Sequence, residues 1–328
     1  MSIYRRGKTW WIQITAANGD RIQRSAKTCD KKEAEELHDR LKADTWRTSK
    51  LKEKPRRTWK EAVIRWLTEN QNKKSLETDK VILRWYDQRL KNAYLDEITR
   101  DTIESFKLEK LNEGASHGTI NRYISVITAI LNKANKQWDW ISDAPKIIQL
   151  PEKTKRLRWL SNDEAKRLLD ELPEHLNAMT RFTLATGLRE ANVCGLTWSQ
   201  VDLKRKTAWI HADEAKGAKA IPVPLGAEAA NVLQEQIGKN DTYVFTYNGQ
   251  PVTRCNNHAW KKALMRADIH DFRWHDLRHT WASWHVQNGT PLNILKELGG
   301  WADLKMVLRY AHLSSDHLKE FAGNTKPK

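Results

Sequence analysis

The hydrophobic residues of this chain follow two different periods, and the change of period separates its regions. An aromatic and β-branched run covers residues 9–14, an Asn-Gly-Asp turn signal follows at 18–20, and an alternating run covers 21–25. Asp30 is a candidate N-cap for the stretch that follows, whose apolar residues recur at helical spacing. The pattern predicts a small sheet followed by a helix in residues 1–46.

Apolar residues at helical spacing fill residues 58–150, where Thr58 and Thr99 are candidate N-caps. The longest of these runs predicts a helix that begins at Thr119. We expect a bundle of about four or five helices, with the apolar face of the long helix in its core.

Polar, basic stretches that contain proline flank this bundle at 47–57 and 151–158, and they are predicted to be linkers. The third region, 159–328, begins with a capping box formed by Ser161 and Glu164. It is predicted to contain helices around one short β-hairpin. The two strands of this hairpin are expected at residues 207–211 and 220–224. The fold class of the whole chain is therefore mainly α with small β elements.

Composition narrows the choice of partner. Lys and Arg number 57 against 41 Asp and Glu, which gives a formal net charge of +16. A chain this basic favours a polyanion such as nucleic acid, because phosphate binding releases counterions; a merely well-solvated surface is the alternative. The three cysteines are odd in number and far apart, which is typical of a reducing cytoplasm. We see neither a signal peptide nor an apolar stretch long enough to span a membrane.

Positive charge is concentrated in the predicted N-terminal sheet. Six basic residues precede position 28, against one acid, Asp20. A small basic sheet can enter a DNA groove, whereas the alternative is a scaffold with one solvated face. The candidate DNA contacts in this region and on the long helix are Arg5, Arg6, Lys8, Arg21, Arg24, Lys27 and Arg122.

Two arginines in the third region are candidates for holding a phosphodiester. Its non-bridging oxygens carry a negative charge that must be stabilised during attack, and permanently charged, bidentate guanidinium groups do this best. Arg189 follows Gly187, a glycine expected to end one helix just before the next begins, so its side chain can point into a cleft. Arg278 is the second candidate.

His275, Arg278 and His279 have the i, i+3, i+4 spacing that places them on one face of a helix. This spacing could also bind a metal ion. The arginine between the two histidines argues against that alternative, because a fixed cation repels a metal, and Asp276 is expected to point elsewhere. His275 is therefore a candidate for the phosphodiester site, with His279 as a secondary candidate.

Tyr310 lies nine residues after Trp301 and two before His312, which is a further secondary candidate. A phenol is a weak nucleophile at neutral pH, since its pKa is ~10. We expect the two arginines to favour the phenolate and a neighbouring base to take the proton.

The leaving oxygen in such a reaction needs a proton. Lys216 and Lys219 lie on the turn of the predicted β-hairpin, where a lysine can reach a DNA backbone oxygen. The residues alone leave the choice between the two lysines open.

Taken together, these residues resemble the signature of the tyrosine recombinases, and most closely that of integrases of lambdoid phages and prophages. Arg189, Lys216, the His275-x-x-Arg278 box, Trp301 and Tyr310 match it in order. The resemblance implies an arm-type DNA-binding domain of three strands and a helix in 1–46, a helical, SAM-like core-binding domain in 58–150, and a catalytic domain in 159–328. It also favours Lys216 over Lys219 as the general acid.

The activity that this resemblance implies is a transesterification without metal or cofactor. Tyr310 would attack a scissile phosphate, and strands would be exchanged through a Holliday junction in a homotetramer on two DNA attachment sites. Integration of a viral genome in the bacterial cytoplasm is the implied setting. An excisionase and a host DNA-bending protein are implied as further partners.

Two positions depart from the common pattern of the family. Trp301 stands where many relatives have histidine, and Asn192 stands where many have an acid. A type IB topoisomerase shares the chemistry, and a catalytically silent DNA-binding regulator is the alternative outside enzymes. The arm-like sheet favours a recombinase over the first, and the complete residue set argues against the second.

Overall fold

The computed structural model describes residues 2–15, 21–50, 55–152, 157–212 and 220–313. The chain divides into two compact units, Met1–Thr154 and Lys155–Lys328. Within the described ranges, no helix is both long enough and apolar enough to cross a membrane.

The first unit begins with an antiparallel three-stranded sheet in the order β1-β2-β3. The strands and the helix that follows are β1 Ser2–Arg6, β2 Thr9–Thr15, β3 Arg21–Ser25 and α1 Lys31–Lys50. Ile12, Ile14 and Ala34 are buried where the sheet packs on α1. Asp30 caps α1 as expected, because its carboxylate accepts the amide of Lys32 at 2.7 Å. The predicted turn at 18–20 lies outside the described residues.

Helix α1 extends further than the sequence pattern predicts. Its last four residues, 47–50, belong to the stretch predicted as a linker. These residues include no proline or glycine, and the first proline of the stretch is Pro55, so nothing in them stops the helix.

In the described part of the first unit, four helices and a short 3-10 turn follow α1. Their bounds are α2 Trp59–Glu69, α3 Leu76–Leu90, the 3-10 turn Leu95–Glu97, α4 Arg100–Asn112 and α5 His117–Lys136. Thr58 and Thr99 are N-caps, as predicted. The long helix begins at His117 instead of Thr119, because the hydroxyl of Ser116 accepts the amide of Thr119 and takes the capping role.

The second unit is mainly helical with two small sheets. Its elements are α6 Asn162–Glu171, α7 Glu174–Thr186, α8 Glu190–Cys194, the 3-10 turn Trp198–Gln200, β4 Val201–Asp202, β5 Thr207–Ile210, β6 Ile221–Pro224, α9 Ala227–Gln236, β7 Thr246–Tyr247, β8 Gln250–Pro251, α10 His258–Arg266, α11 Trp274–Gln287, α12 Leu292–Leu298, α13 Lys305–Leu308 and the 3-10 turn Ala311–Leu313. The capping box of Ser161 and Glu164 is present. The predicted hairpin is also present, with Thr207 opposite Pro224 and Ile210 opposite Ile221.

A small second core in this unit joins α11 to the C-terminal helices. It contains Trp281, Leu295, Trp301, Val307 and Tyr310, and it is separate from the larger core built on α6 to α11. The ring of the candidate nucleophile is therefore part of a hydrophobic core, which fixes its position relative to α11.

Candidate active site

The turn between α7 and α8 positions Arg189. Gly187 ends α7 in the left-handed conformation, with φ of 66°, and the ring of Trp281 occupies the space that a Cβ would need there. Arg189 is the N-cap residue of α8, and its carbonyl accepts the amides of Asn192 and Val193 at 2.9 and 3.0 Å. Its side chain is partly buried, and burial lowers the pKa of the guanidinium.

Arg278 on α11 is the most buried of the candidate cations that the structure describes, with 4% of its surface exposed. Its Nη1 donates to the carbonyl of Gly187 at 2.6 Å, and its Nη2 donates to the carbonyl of Gly299. The guanidinium also stacks on the ring of Trp301, 4.2 Å from its centroid. Burial first, and then the charge of Arg189, lower the pKa of Arg278 to about 9, so it remains charged at neutral pH.

These contacts hold Arg278 within reach of the charge of Arg189, and its partners in the described part of the chain are two carbonyl dipoles and an aromatic face. An anion bound between the arginines would neutralise both charges and relieve their repulsion. The arginine pair therefore has the charges that a phosphate-binding site requires.

The two histidines of α11 lie next to each other but in different surroundings. His275 is exposed and His279 is partly buried, with their ring centroids 5.1 Å apart. The Nδ1 atom of His279 is 2.5 Å from the hydroxyl oxygen of Tyr310. Burial first, followed by the charges of His275, Arg309 and Arg278, lowers the pKa of His279 to about 4.

Asp276 points away from the histidines, as expected. Its carboxylate accepts the backbone amide of Arg273 at 2.8 Å and so caps the start of α11. The described residues include no group of three or more His, Cys, Asp or Glu side chains that could hold a metal ion.

Trp301 and Tyr310 pack together in the small core. The turn at Gly299 and Gly300 leads into Trp301, whose amide donates to the carbonyl of Lys296 at 3.0 Å. The ring centroids of Trp301 and Tyr310 are 6.1 Å apart. Only 1% of Tyr310 is exposed.

Burial opposes the phenolate of Tyr310 more strongly than Arg278, one of the two arginines expected to favour it, stabilises it. Burial raises the pKa of Tyr310 to about 12, and the opposing effects of Arg309 and Arg278 are smaller. The phenol is therefore protonated at neutral pH, and the nearest base is His279. His312 is exposed on the 3-10 turn that follows.

Five of the six principal candidates thus lie together around α11. They are Arg189, His275, Arg278, Trp301 and Tyr310. The sixth, Lys216, lies outside the described residues, as does Lys219, although the strands β5 and β6 on either side of them are described.

The candidate DNA contacts of the first unit divide into two kinds. Arg5, Arg6, Lys8, Arg21, Arg24 and Lys27 are all exposed. Arg122 instead donates to the fully buried carboxylate of Asp79 at 2.7 Å, which also pairs with Lys73. Arg122 therefore neutralises a buried charge of the bundle in this structure.

Sequence reasoning missed the partners of Arg278. The carbonyls of Gly187 and Gly299 come from turns 91 and 21 residues away along the chain. The signal was present in the two glycine-containing turns, Thr-Gly-Leu-Arg and Leu-Gly-Gly-Trp, which leave backbone carbonyls accessible.

The fold is that of the tyrosine recombinase integrases. A Tn1549 transposon integrase in complex with transposon right end DNA matches 80% of this chain and 98% of its own, with a TM-score of 0.67 and 17% identity. A lambda integrase dimer bound to a COC' core site matches over 99% of this chain and 96% of its own, with a TM-score of 0.65 and 16% identity.

Sequence comparison defines the family. Residues 158–317 match the Phage integrase family, and residues 2–50 match the Phage integrase N-terminal domain. The integrase of Salmonella phage P22 is 42% identical over 98% of this chain and 93% of its own length. The tyrosine recombinase XerD of Oceanobacillus iheyensis is 28% identical over 75% of this chain and 88% of its own. The chain belongs to the phage integrase family of tyrosine recombinases, and it is a site-specific DNA recombinase.

Proposed function

We propose that Tyr310 of this recombinase attacks a scissile phosphate in an attachment site. The phenol oxygen forms a bond to phosphorus and the bond to the 5′-oxygen breaks, which leaves a 3′-phosphotyrosine link and a free 5′-hydroxyl. The energy of the phosphodiester is kept in the covalent link, so rejoining needs no nucleotide cofactor. One observation carries this proposal: Arg278, on which the charge of Arg189 acts, lies over the ring of Trp301, and Trp301 packs against the ring of Tyr310.

The other residues have separate roles in the same step. Arg189 and Arg278 hold the non-bridging oxygens, and His275 and Trp301 donate hydrogen bonds to them. Lys216 protonates the leaving 5′-oxygen, with Lys219 as its rival.

The proposed cellular role is integration of a phage genome into a bacterial chromosome and its excision from the prophage. Two attachment sites would be joined by a homotetramer, with strand exchange through a Holliday junction in the host cytoplasm. An excisionase and a host DNA-bending protein would assist. The P22 integrase, similar over nearly its whole length, supports this role.

The N-terminal region, with its six exposed basic residues, would bind arm-type DNA separately from the core site. The division into an arm domain at 1–46, a core-binding domain at 58–150 and a catalytic domain at 159–328 belongs to this proposal. The match of residues 2–50 to an integrase N-terminal domain supports it.

A suicide substrate tests the chemistry. It carries a nick that releases a short fragment after cleavage, so the covalent intermediate cannot be rejoined and accumulates. The wild-type protein should form a protein–DNA adduct, whereas Tyr310→Phe should bind the same DNA with nearly the same affinity and form none. A retarded complex without adduct from the wild type would instead identify a silent regulator. Adduct formation by Tyr310→Phe would refute the assigned nucleophile.

A further inference from the structure

The hydroxyl of Tyr310 contacts the side chain of His279, a residue to which the proposed function assigns no role. Nδ1 of His279 lies 2.5 Å from the phenol oxygen, and the two ring planes are inclined at 44°. Both residues are fixed by their surroundings, since His279 is on α11 and Tyr310 is in the small core. The contact is therefore a property of the packed site.

Both partners of this hydrogen bond are uncharged at neutral pH. The charged and titratable groups that act on His279 are His275 and Arg278 of its own helix and Arg309 of the segment after α13. All of them oppose a positive charge on the imidazole, as does burial, and the pKa of His279 falls to about 4. The pKa of Tyr310 is about 12, so the phenol keeps its proton, and it donates to Nδ1 when the neutral ring carries its own proton on Nε2.

A phosphate bound between Arg189 and Arg278 raises the basicity of His279. Arg278 stacks on Trp301, and Trp301 packs on Tyr310, so a phosphate bound by Arg278 lies within the same small group of side chains. Its negative charge offsets the cations that disfavour a protonated His279. Substrate binding therefore makes His279 a stronger proton acceptor at the moment when Tyr310 must lose its proton.

We propose that His279 is a catalytic residue that holds the Tyr310 hydroxyl through Nδ1 and accepts its proton during the attack on phosphorus. The inference rests on the proposed role of Tyr310 as the nucleophile. In this step the phenol O–H bond breaks, the proton moves to Nδ1, and the phenol oxygen forms its bond to phosphorus. The 5′-oxygen leaves with a proton from a different donor, so the imidazolium remains until the reverse reaction.

Neither of the other nearby histidines is placed for this role. His275 is exposed, and its ring centroid is 5.1 Å from that of His279. His312 is exposed on the turn after the tyrosine. The direct hydrogen bond therefore selects His279.

Two substitutions distinguish the two functions proposed for His279, which are hydrogen bonding to the Tyr310 hydroxyl and acceptance of its proton. In His279→Asn the side-chain oxygen stands near the position of Nδ1, so the variant keeps an acceptor that has no basicity. His279→Leu loses both functions. The matched control is His285→Asn on the same helix, since Nδ1 of His285 also meets a hydroxyl, that of Thr290, at 2.9 Å.

The experiment measures single-turnover cleavage of the suicide substrate by the full-length protein across pH, together with DNA affinity. We expect His279→Asn and His279→Leu to cleave ~10²-fold or more slowly with nearly unchanged affinity, the lower range for general acid–base catalysis. The wild-type rate should rise with pH and then level off, because the base must be unprotonated. His279→Asn should lack that rise, and His285→Asn should behave as the wild type.

Wild-type rates in His279→Asn, with or without a loss in His279→Leu, would overturn proton transfer to this residue. An equal loss of cleavage rate in His285→Asn would also overturn it, because the loss would then come from a disturbance of α11 and not from the missing base. These outcomes differ from failure of the proposed function, which would appear as no adduct from the wild type or adduct from Tyr310→Phe.

A second measurement does not depend on activity. In the full-length protein labelled with ¹⁵N-histidine, His279 should show the neutral tautomer with its proton on Nε2, and Tyr310→Phe should shift its Nδ1 resonance. A wild-type His279 with its proton on Nδ1 would contradict the hydrogen bond on which the inference depends.

Discussion

At the scale of single residues, the main feature of the site is its two guanidinium groups, which belong to Arg189 and Arg278 and are at least partly buried. Arg278 donates hydrogen bonds to the carbonyls of Gly187 and Gly299, and Trp301 covers one face of its guanidinium plane. The plane is therefore fixed before a phosphate binds, which is the condition for strong electrostatic stabilisation of a transition state. Arg189, at the start of α8, supplies the second charge.

Replacing either arginine by lysine keeps the charge and removes the planar fork. We expect Arg189→Lys and Arg278→Lys each to lower the cleavage rate by at least ~10²-fold, as for the loss of one oxyanion donor. The control is Arg181→Lys, an arginine of the same unit that pairs with Glu228 and Glu235 at the surface. Single-turnover cleavage measures the effect, and wild-type rates in both site variants would refute the phosphate clamp.

The identity of the general acid is a second question at this scale. A substrate with sulfur in place of the 5′-bridging oxygen has a leaving group that needs no proton. We expect Lys216→Ala to cleave the normal substrate slowly and to recover on the sulfur substrate, because only protonation is lost. Lys219→Ala should cleave both the normal substrate and the sulfur substrate at the wild-type rate. Rescue of Lys219→Ala in place of Lys216→Ala would reverse the assignment.

The residue types of the site could be predicted from the sequence, but their contacts could not. The spacing of His275, Arg278 and His279 fixes one helical face without any structure. The sequence does not reveal which histidine meets Tyr310, because that depends on how the segment after α13 folds back onto α11. The raised pKa of Tyr310 was missed for the same reason, since burial arises from packing that brings distant residues together.

At the scale of elements, capping chemistry predicted several helix starts correctly and failed at one. Thr58, Thr99 and Ser161 are N-caps as expected. Before α5, Ser116 and Thr119 are both suitable caps three residues apart, and the earlier one takes the role. The local sequence cannot decide which of the two residues is the N-cap, because serine and threonine are both preferred at that position.

The N-terminal sheet presents two faces with different partners. Ile12 and Ile14 face α1, and strand alternation places Arg5, opposite Trp10 in the register, on this same side. Arg6 lies on the other face, where its guanidinium stacks 5.2 Å from the centroid of Trp11. The face that carries Arg6 is therefore the open one.

This geometry predicts unequal contributions from neighbouring arginines. If the open face binds arm-type DNA, Arg6→Ala should weaken binding and reduce the slope of affinity against salt by about 1, as for one lost phosphate contact. Arg5→Ala is the matched control and should have the smaller effect. Titrations of arm-site DNA at several salt concentrations test this, and equal effects would show that the two faces are not distinguished.

At the scale of the whole molecule, the net charge of +16 and the exposed basic residues of the N-terminal sheet predict contact with DNA at more than one place. Among the residues that the structure describes, the buried core of the bundle runs from Trp59 to Ile141 and includes none from the N-terminal sheet or α1. Removing the N-terminal region would expose Tyr94 and Glu97, which contact Arg40 of α1, but it would leave that core intact.

A fragment that begins at Thr58 should therefore still cleave a core site and resolve a Holliday junction. It should fail in complete integration wherever that reaction needs two sites to be bridged. Footprinting of the full chain and the fragment on attachment-site DNA measures the difference. Protection of the same sequences by both proteins would show that the N-terminal region does not read a second site.

The most direct test of the whole account is the identity of the residue that becomes linked to DNA. The adduct trapped on a suicide substrate can be digested with protease and nuclease, and the modified peptide can be sequenced by mass spectrometry. We predict a single peptide with a nucleotide joined through its 3′-phosphate to Tyr310. A link to any other residue, or cleaved DNA with no linked peptide, would contradict the account.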